Sequence, residues 1–216
     1  MVQNTESLAT IRDYRASIEI CRKEFNGNND KTERGATPAA FMGGQSGPAG
    51  WEPSAYRIYN DWADTILKRL IEMRRQGELA GAVNSQAAFD EFHRGLVSSL
   101  EGFWIARAHP DYPPSRKLLH KLVDLFAKWL RMKVQPEIRL FIEQYGHTTL
   151  NTPTLKRLTA LLDDETLDFP PDADFDGWYV ALQERIRVLT REHGGSPVIV
   201  DMWSRKSYLG DPDEEI

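Results

Sequence analysis

Lys121 is the residue of this sequence whose type and surroundings best suit covalent chemistry. Apolar residues recur at spacings of three and four from Leu118 to Leu130, which is the pattern of one helix face, and Lys121 flanks that face. A lysine beside apolar surface is partly desolvated, and desolvation lowers the pKa of its amine toward the range of a useful nucleophile. The position also suits a structural role, in which the aliphatic stem of Lys121 covers apolar surface.

The predicted helix that carries Lys121 lies in the most basic part of the chain. Pro113 and Pro114 block a helix on its N-terminal side, and Ser115 can cap its first amides. From Arg107 to Arg139 there are eight Lys and Arg against three acids, a local balance of 8 − 3 = +5 in a chain of net charge −5. This grouping favours a phosphate-bearing partner, and a solvated helix face is the alternative.

The following stretch is acidic, and the rest of the composition limits the class of protein. Between Thr159 and Glu184 there are eight acids and no Lys or Arg. No apolar run approaches the roughly 18 residues of a membrane span, and the N-terminus lacks the apolar part of a signal peptide, so we expect a soluble cytoplasmic protein. Cys21 is the single cysteine, which excludes an intrachain disulfide, and the five scattered His have no zinc-site spacing. We therefore expect neither a metal nor a cofactor.

A Gly/Pro-rich segment separates the first predicted helix from the others. Nine of the 28 residues from Asn26 to Pro53 are Gly or Pro, which predicts a long loop. The run Met42-Gly-Gly-Gln-Ser-Gly-Pro-Ala-Gly50 lacks the Lys-Ser/Thr of a phosphate-binding loop, so it does not indicate a nucleotide site. The loop either contacts substrate, through Gln45 and Trp51, or serves as a tether.

The remaining signals predict helices throughout. Helical spacing and start signals mark elements that begin near Ser54, Ser85, Pro136 and Asn151, and another around Trp178. A last short element from 198 to 203 has β-branched residues, but no partner strand is visible, so helix is favoured. The chain is predicted to be all-α with about seven to eight helices. Its predicted divisions are an N-terminal helix at 1–25, a flexible loop at 26–53, a helical core domain at 54–206 and an acidic tail at 207–216.

In order and spacing, three of these features together resemble the core of the helix-hairpin-helix DNA glycosylases. They are the basic helix with Lys121, the short helix after Pro136, and the helix start His147-Thr-Thr-Leu-Asn-Thr-Pro-Thr-Leu155. The chain looks more like small bacterial proteins that resemble diverged relatives of the 8-oxoguanine DNA glycosylase group. The resemblance covers about residues 87–203.

The resemblance implies a chemistry for two residues. Lys121 stands at the position of the nucleophilic amine, and Asn151 stands where those enzymes have a catalytic aspartate. Cleaving a base from its sugar builds positive charge on the deoxyribose, which an amine can trap and a carboxylate can stabilise. The implied partner is DNA with a modified base, flipped out of the duplex, and the implied setting is repair or defence against modified phage DNA.

Two departures from the family pattern bear on activity. The glycines of the hairpin are replaced by Pro113-Pro114-Ser115, and proline has no amide to donate to a phosphate. Asn151 cannot carry negative charge, so either another acid substitutes, Asp124 or Asp111, or the fold binds DNA without cutting it. The candidate DNA contacts are Arg116, Lys117, His120, Lys128, Arg131, Gln45 and Trp51.

A different class of function fits the same features. The basic helix and the acidic stretch after it can dock onto a partner protein, which would make the chain a non-catalytic all-α interaction subunit of a larger complex. Six Trp and the Gly-rich segment suit a protein that buries part of itself in such a complex. DNA binding that weakens steeply with salt would distinguish the two functions.

Overall fold

The structure, a computed structural model, describes residues 5–27, 33–41, 53–78, 84–108, 110–133 and 136–206. Gln45, Trp51 and the predicted tail at 207–216 lie outside these residues. Over the described part of the chain there are eight α-helices and no strand, which confirms the all-α prediction. The helices are α1 (Thr5–Gly27), α2 (Ala55–Arg75), α3 (Gln86–Ile105), α4 (Arg116–Lys133), α5 (Pro136–Tyr145), α6 (Thr152–Leu162), α7 (Phe175–Glu192) and α8 (Pro197–Lys206).

Short polar side chains cap the helices where the sequence predicts starts. Ser54, Ser85 and Ser115 each accept a hydrogen bond from the amide three residues later, and Asn151 does the same for α6. A cap of this kind satisfies one of the amides that have no partner within the helix.

The last element, α8, is a helix as predicted. None of the described helices is both long enough and apolar enough to cross a bilayer.

The chain forms two compact units, and the first consists of Met1–Asn28 and His147–Ile216. In it α1 packs against α6 and α8, and α7 packs against α8. The ring of Tyr14 meets the ring of Trp203 edge-on, with 5.5 Å between centroids. The N-terminal helix is therefore part of the core formed by the C-terminal helices.

A buried glutamine supports the extended stretch that precedes α6. The Thr148 amide donates to Gln183 Oε1 at 3.0 Å, and Gln183 Nε2 donates back to the Thr148 carbonyl at 2.8 Å. The Thr148 hydroxyl donates to the Pro197 carbonyl at 2.6 Å. Backbone groups outside a helix are costly to bury without partners, so these bonds allow the stretch to lie in the interior.

The second unit is Asn29–Gly146, with α4 packed against α3 and α5. The side chains of α4 that line this core include Leu122, Val123, Phe126 and Leu130, each fully buried. The ring of Phe126 lies 4.9 Å from that of Trp62 on α2. The predicted basic helix that carries Lys121 is thus the central helix of its unit.

Residues 33–41 lie within the segment that the sequence predicts as a flexible loop, and they are packed instead. Two short 3-10 helices, Glu33–Gly35 and Pro38–Phe41, form there, and Phe41 is buried. Arg34 donates through Nε and Nη2 to the two oxygens of Asp64, at 2.7 Å each. These contacts come from residues distant in sequence, which is why local pattern did not reveal them.

Candidate functional site

The amine of Lys121 lies at the edge of the second unit's core. Its Nζ donates to the Ala40 carbonyl at 2.9 Å, and its side chain is half-buried. Burial lowers the pKa of Lys121 from its ordinary value of 10.5, and the positive charge of Lys117 lowers it further. The predicted desolvation of this amine is therefore present in the structure, and the amine is easier to deprotonate than an exposed lysine.

One turn further along α4, Asp124 lies inside the unit and meets a histidine of α3. Asp124 Oδ1 and His93 Nε2 are joined by a hydrogen bond of 3.0 Å, and the two residues are 2% and 3% exposed. The ring of His93 stacks on that of Phe89, and the ring of His120 lies 5.4 Å from it. A hydrogen-bonded polar pair this well buried has a strong influence on its neighbours, because little water screens it.

Sequence reasoning did not identify His93 as part of this cluster. Its partner Asp124 is 31 positions away, so no short window of sequence contains both residues. A usable signal exists: Phe89, His93 and Leu96 share helical spacing, so His93 lies on the apolar face of α3. A histidine at a core position needs a polar partner, and a buried carboxylate supplies one.

The basic side chains of α4 differ in their exposure to solvent. Arg116 pairs with Glu101 on α3 at 2.8 Å, and Lys117 is half-buried near the start of the helix. Lys128 and Arg131 are each only 8% exposed, and Arg131 Nη1 donates to the Lys128 carbonyl at 2.8 Å. The basic residues do not form one solvent-facing stripe, since α4 is the central helix of its unit.

Asn151 belongs to the first unit, whereas Lys121 belongs to the second. Its Oδ1 accepts the Thr154 amide at 2.9 Å, so the side chain is the N-cap of α6. This is a structural use of the side chain, as the start signal at Asn151 predicts. Asp111, the other acid proposed to replace an aspartate at this position, is exposed.

Lys121, Asp124 and His120, three of the residues predicted from the sequence, all lie on α4, but their side chains have different partners. Asp124 bonds to His93 of α3, whose ring lies near that of His120, whereas the Lys121 amine bonds to the Ala40 carbonyl. An amine of lowered pKa can act as a nucleophile, and this is the chemical property that the structure gives to Lys121. Comparison of the chain with protein-family models, with curated proteins and with solved structures gives no match.

Proposed function

We propose that this protein binds DNA as a diverged relative of the helix-hairpin-helix glycosylases and cleaves the N-glycosidic bond of a modified base. The observation that carries the proposal is the half-buried amine of Lys121, whose pKa is lowered by burial and by Lys117. Lysine is a weak nucleophile while protonated, so a lowered pKa is the property that this chemistry needs. The proposed setting is cytoplasmic, in repair or in defence against modified phage DNA.

In the proposed reaction the unprotonated Lys121 amine attacks the sugar carbon that bears the base. A bond from Nζ to that carbon forms, the carbon–base bond breaks, and the base leaves with its bonding electrons and takes up the proton that the amine loses. The bond from that carbon to the ring oxygen of the sugar then breaks, the oxygen takes up the second amine proton, and an imine between Lys121 and the sugar remains. Asn151 caps a helix and has no charge, so the carboxylate proposed to stabilise the positive sugar is Asp124. Asp124 is 2% exposed and bonded to His93, so the proposed stabilisation acts through space and not by contact with the sugar.

The proposed DNA contacts are those of the less buried cations. Arg116 and Lys117 stand at the start of α4, and both are more open than Lys128 and Arg131. Arg116 would exchange Glu101 for a phosphate, which is a bidentate acceptor well matched to a guanidinium. Phosphate contacts of this kind position a protein on DNA without reading its sequence.

Borohydride trapping tests the proposed chemistry directly. The full-length protein is incubated with duplexes that each contain one modified base, and sodium borohydride reduces any imine between Lys121 and the sugar to a stable cross-link. We expect a cross-linked product with the wild type and none with Lys121→Ala. Asp124→Asn keeps an oxygen for His93 but removes the charge, and we expect it to slow trapping at least about tenfold.

Lys68→Ala is the matched control, because Lys68 is an exposed lysine on α2 of the same unit. It should cross-link as the wild type does. A cross-link that persists in Lys121→Ala would assign the nucleophile elsewhere. If no duplex yields a product with the wild type, the catalytic proposal fails.

A second candidate function, a non-catalytic interaction subunit, is favoured by two observations on the second unit. Lys128 and Arg131 are buried and so not available to phosphates, and two large apolar side chains, Ile105 and Leu140, are 66% and 62% exposed. Exposed apolar side chains can contribute to a protein interface where they adjoin one another on the surface. Under this alternative the chain co-purifies with a partner protein and shows no salt-sensitive DNA binding.

A further inference from the structure

The first unit contains a hollow that none of the preceding chemistry uses. It has a volume of about 550 Å³, comparable with small-molecule sites in proteins, and it is open to solvent, since Glu6, Ala9, Asp13 and Lys156 are exposed. Three helices form it: α1 contributes one wall, α6 contributes the other, and Trp203 of α8 lies between them. The lining residues are Glu6, Ala9, Thr10, Asp13, Lys156, Arg157, Ala160 and Trp203.

Trp203 is a fixed part of this hollow. It is 2% exposed, and its Nε1 donates to Asp13 Oδ2 at 2.7 Å. Arg157 lies over the Trp203 ring, with Cζ 4.7 Å from the ring centroid. An aromatic ring held in this way restrains the plane of the guanidinium that stacks on it. Arg157 is therefore oriented before any ligand arrives.

Arg157 and Asp13 face each other as an ion pair, but no hydrogen bond joins them. The nearest approach of Arg157 Nη1 to Asp13 Oδ2 is 3.7 Å, which is too long for a hydrogen bond. That same oxygen already accepts the short bond from Trp203. A guanidinium that stacks through its face keeps its edge for a planar carboxylate, with two parallel bonds.

The charges of the hollow are separated by wall. The α1 wall contributes the acids Glu6 and Asp13, and the α6 wall contributes the bases Lys156 and Arg157, so the formal charges cancel. A simple anion would gain from α6 but be repelled by α1, and a simple cation would meet the reverse. Arg157 and Asp13 partly balance each other at 3.7 Å, so a ligand must leave neither of them without a counter-charge. A molecule that carries one charge of each sign at its two ends meets this condition.

We propose that this hollow binds a small zwitterion of the amino-acid or dipeptide class. The ligand carboxylate lies on Arg157 with Lys156 beside it, and the ligand ammonium faces Asp13 and Glu6. The site is made by the first unit alone, so it is independent of the DNA chemistry proposed for Lys121. The result of a test of the zwitterion site therefore neither supports nor contradicts the DNA chemistry proposed for Lys121.

Isothermal titration calorimetry on the full-length protein tests this site. The probes are the free amino acids and the dipeptides alanyl-alanine and glycyl-leucine. Acetate and methylammonium serve as half-molecules that each carry one of the two charges. We expect at least one zwitterion to bind saturably, and both half-molecules to bind at least about tenfold more weakly, because each leaves one wall unpaired.

Variants that remove one charge each show which lining residues contribute to ligand binding. Arg157→Gln, Lys156→Gln and Asp13→Asn should each weaken binding, Arg157→Gln by about tenfold or more. Asp13→Asn keeps an oxygen for Trp203, and Lys156 is exposed, so both variants preserve the fold. Arg12→Gln, an exposed change on α1 outside the hollow, should bind as the wild type does. The proposal is overturned if no zwitterion binds at millimolar concentration, if acetate binds as tightly as the best zwitterion, or if the wall variants leave affinity unchanged.

Discussion

The amine of Lys121 owes its character to two separate causes. Burial beside the apolar face of α4 is the larger, and the positive charge of Lys117, one turn earlier on the same helix, is the smaller. Both disfavour the protonated form, so both lower the pKa. Burial cannot be removed without disturbing the core, whereas the charge of Lys117 can be removed by one substitution at a half-buried position.

Lys117→Gln should therefore raise the pKa of Lys121 toward 10.5, since one of the causes that lower it is gone. NMR titration of reductively ¹³C-methylated lysines measures this value, with the Lys121 signal identified by its loss in Lys121→Ala. At a given pH below the pKa, less of the amine is unprotonated in the variant, so any cross-linking by Lys121 should also slow. Lys68→Gln should leave the pKa where it is. A pKa that stays or falls in Lys117→Gln would contradict the assigned cause.

Gly35 determines how closely the segment 33–41 can approach α4. Its φ is +83°, in the left-handed region that favours glycine, and a Cβ there would overlap the Leu125 carbonyl oxygen. The backbone of α4 cannot move aside without breaking its own hydrogen bonds. Gly35 thus joins the first short helix to α4, and the neighbouring Ala40 carbonyl reaches Lys121 as part of the same packed segment.

Gly35→Ala should lower the free energy of unfolding by at least about 2 kcal/mol, through backbone strain and overlap with α4. Gly95→Ala is the matched control. Gly95 lies inside α3 with nothing near its Cβ position, so alanine there should stabilise by about 0.5–1 kcal/mol. Urea unfolding followed by circular dichroism measures both. Equal effects in the two variants would rule out the close approach at Gly35.

Substitutions of Asn151 test whether this candidate catalytic residue acts as a helix cap. Asn151→Ala removes the oxygen that accepts the Thr154 amide, and should cost about 1 kcal/mol. Asn151→Asp retains the acceptor and places negative charge at the start of α6, where it is favourable, so it should be at least as stable as the wild type. Thermal unfolding of the three proteins in parallel decides this. A stable alanine variant would show that the cap contributes little.

The charge of the whole chain opposes binding to DNA, while α4 favours it. The net charge of −5 repels phosphates at long range, and the buried Lys128 and Arg131 contribute charge but no direct contact. What remains for direct contact on α4 is a small set of cations near its start. A DNA complex made by these cations would involve few phosphate contacts. The dependence of the DNA affinity on salt concentration gives the number of those contacts.

The logarithm of the DNA association constant should fall linearly with the logarithm of salt concentration. If Arg116 and Lys117 each neutralise one phosphate, the slope is about −2. Lys117→Ala should make it less steep by about one. Fluorescence anisotropy with a labelled duplex over a range of salt concentrations measures the slope for wild type, Lys117→Ala and the control Lys68→Ala. Absence of DNA binding at low salt would favour the interaction subunit.

The helices of this protein were predictable because helix formation is largely local. Apolar spacing along α4, and the caps Ser54, Ser85 and Asn151, appear in short windows of sequence, and the structure places helices there. The partial desolvation of Lys121 was predictable for the same reason. When the apolar face of a helix packs into a core, a residue that flanks the face lies at the edge of that core.

Pairings between distant residues were not predictable in this way. Helical periodicity says which side chains share a face, but not which other helix covers that face. The bond from Asp124 to His93, the burial of Lys128 and Arg131, and the hollow around Trp203 all depend on that choice. Packing brings together residues far apart along the chain, and it also sets the charge environment in which each of them acts.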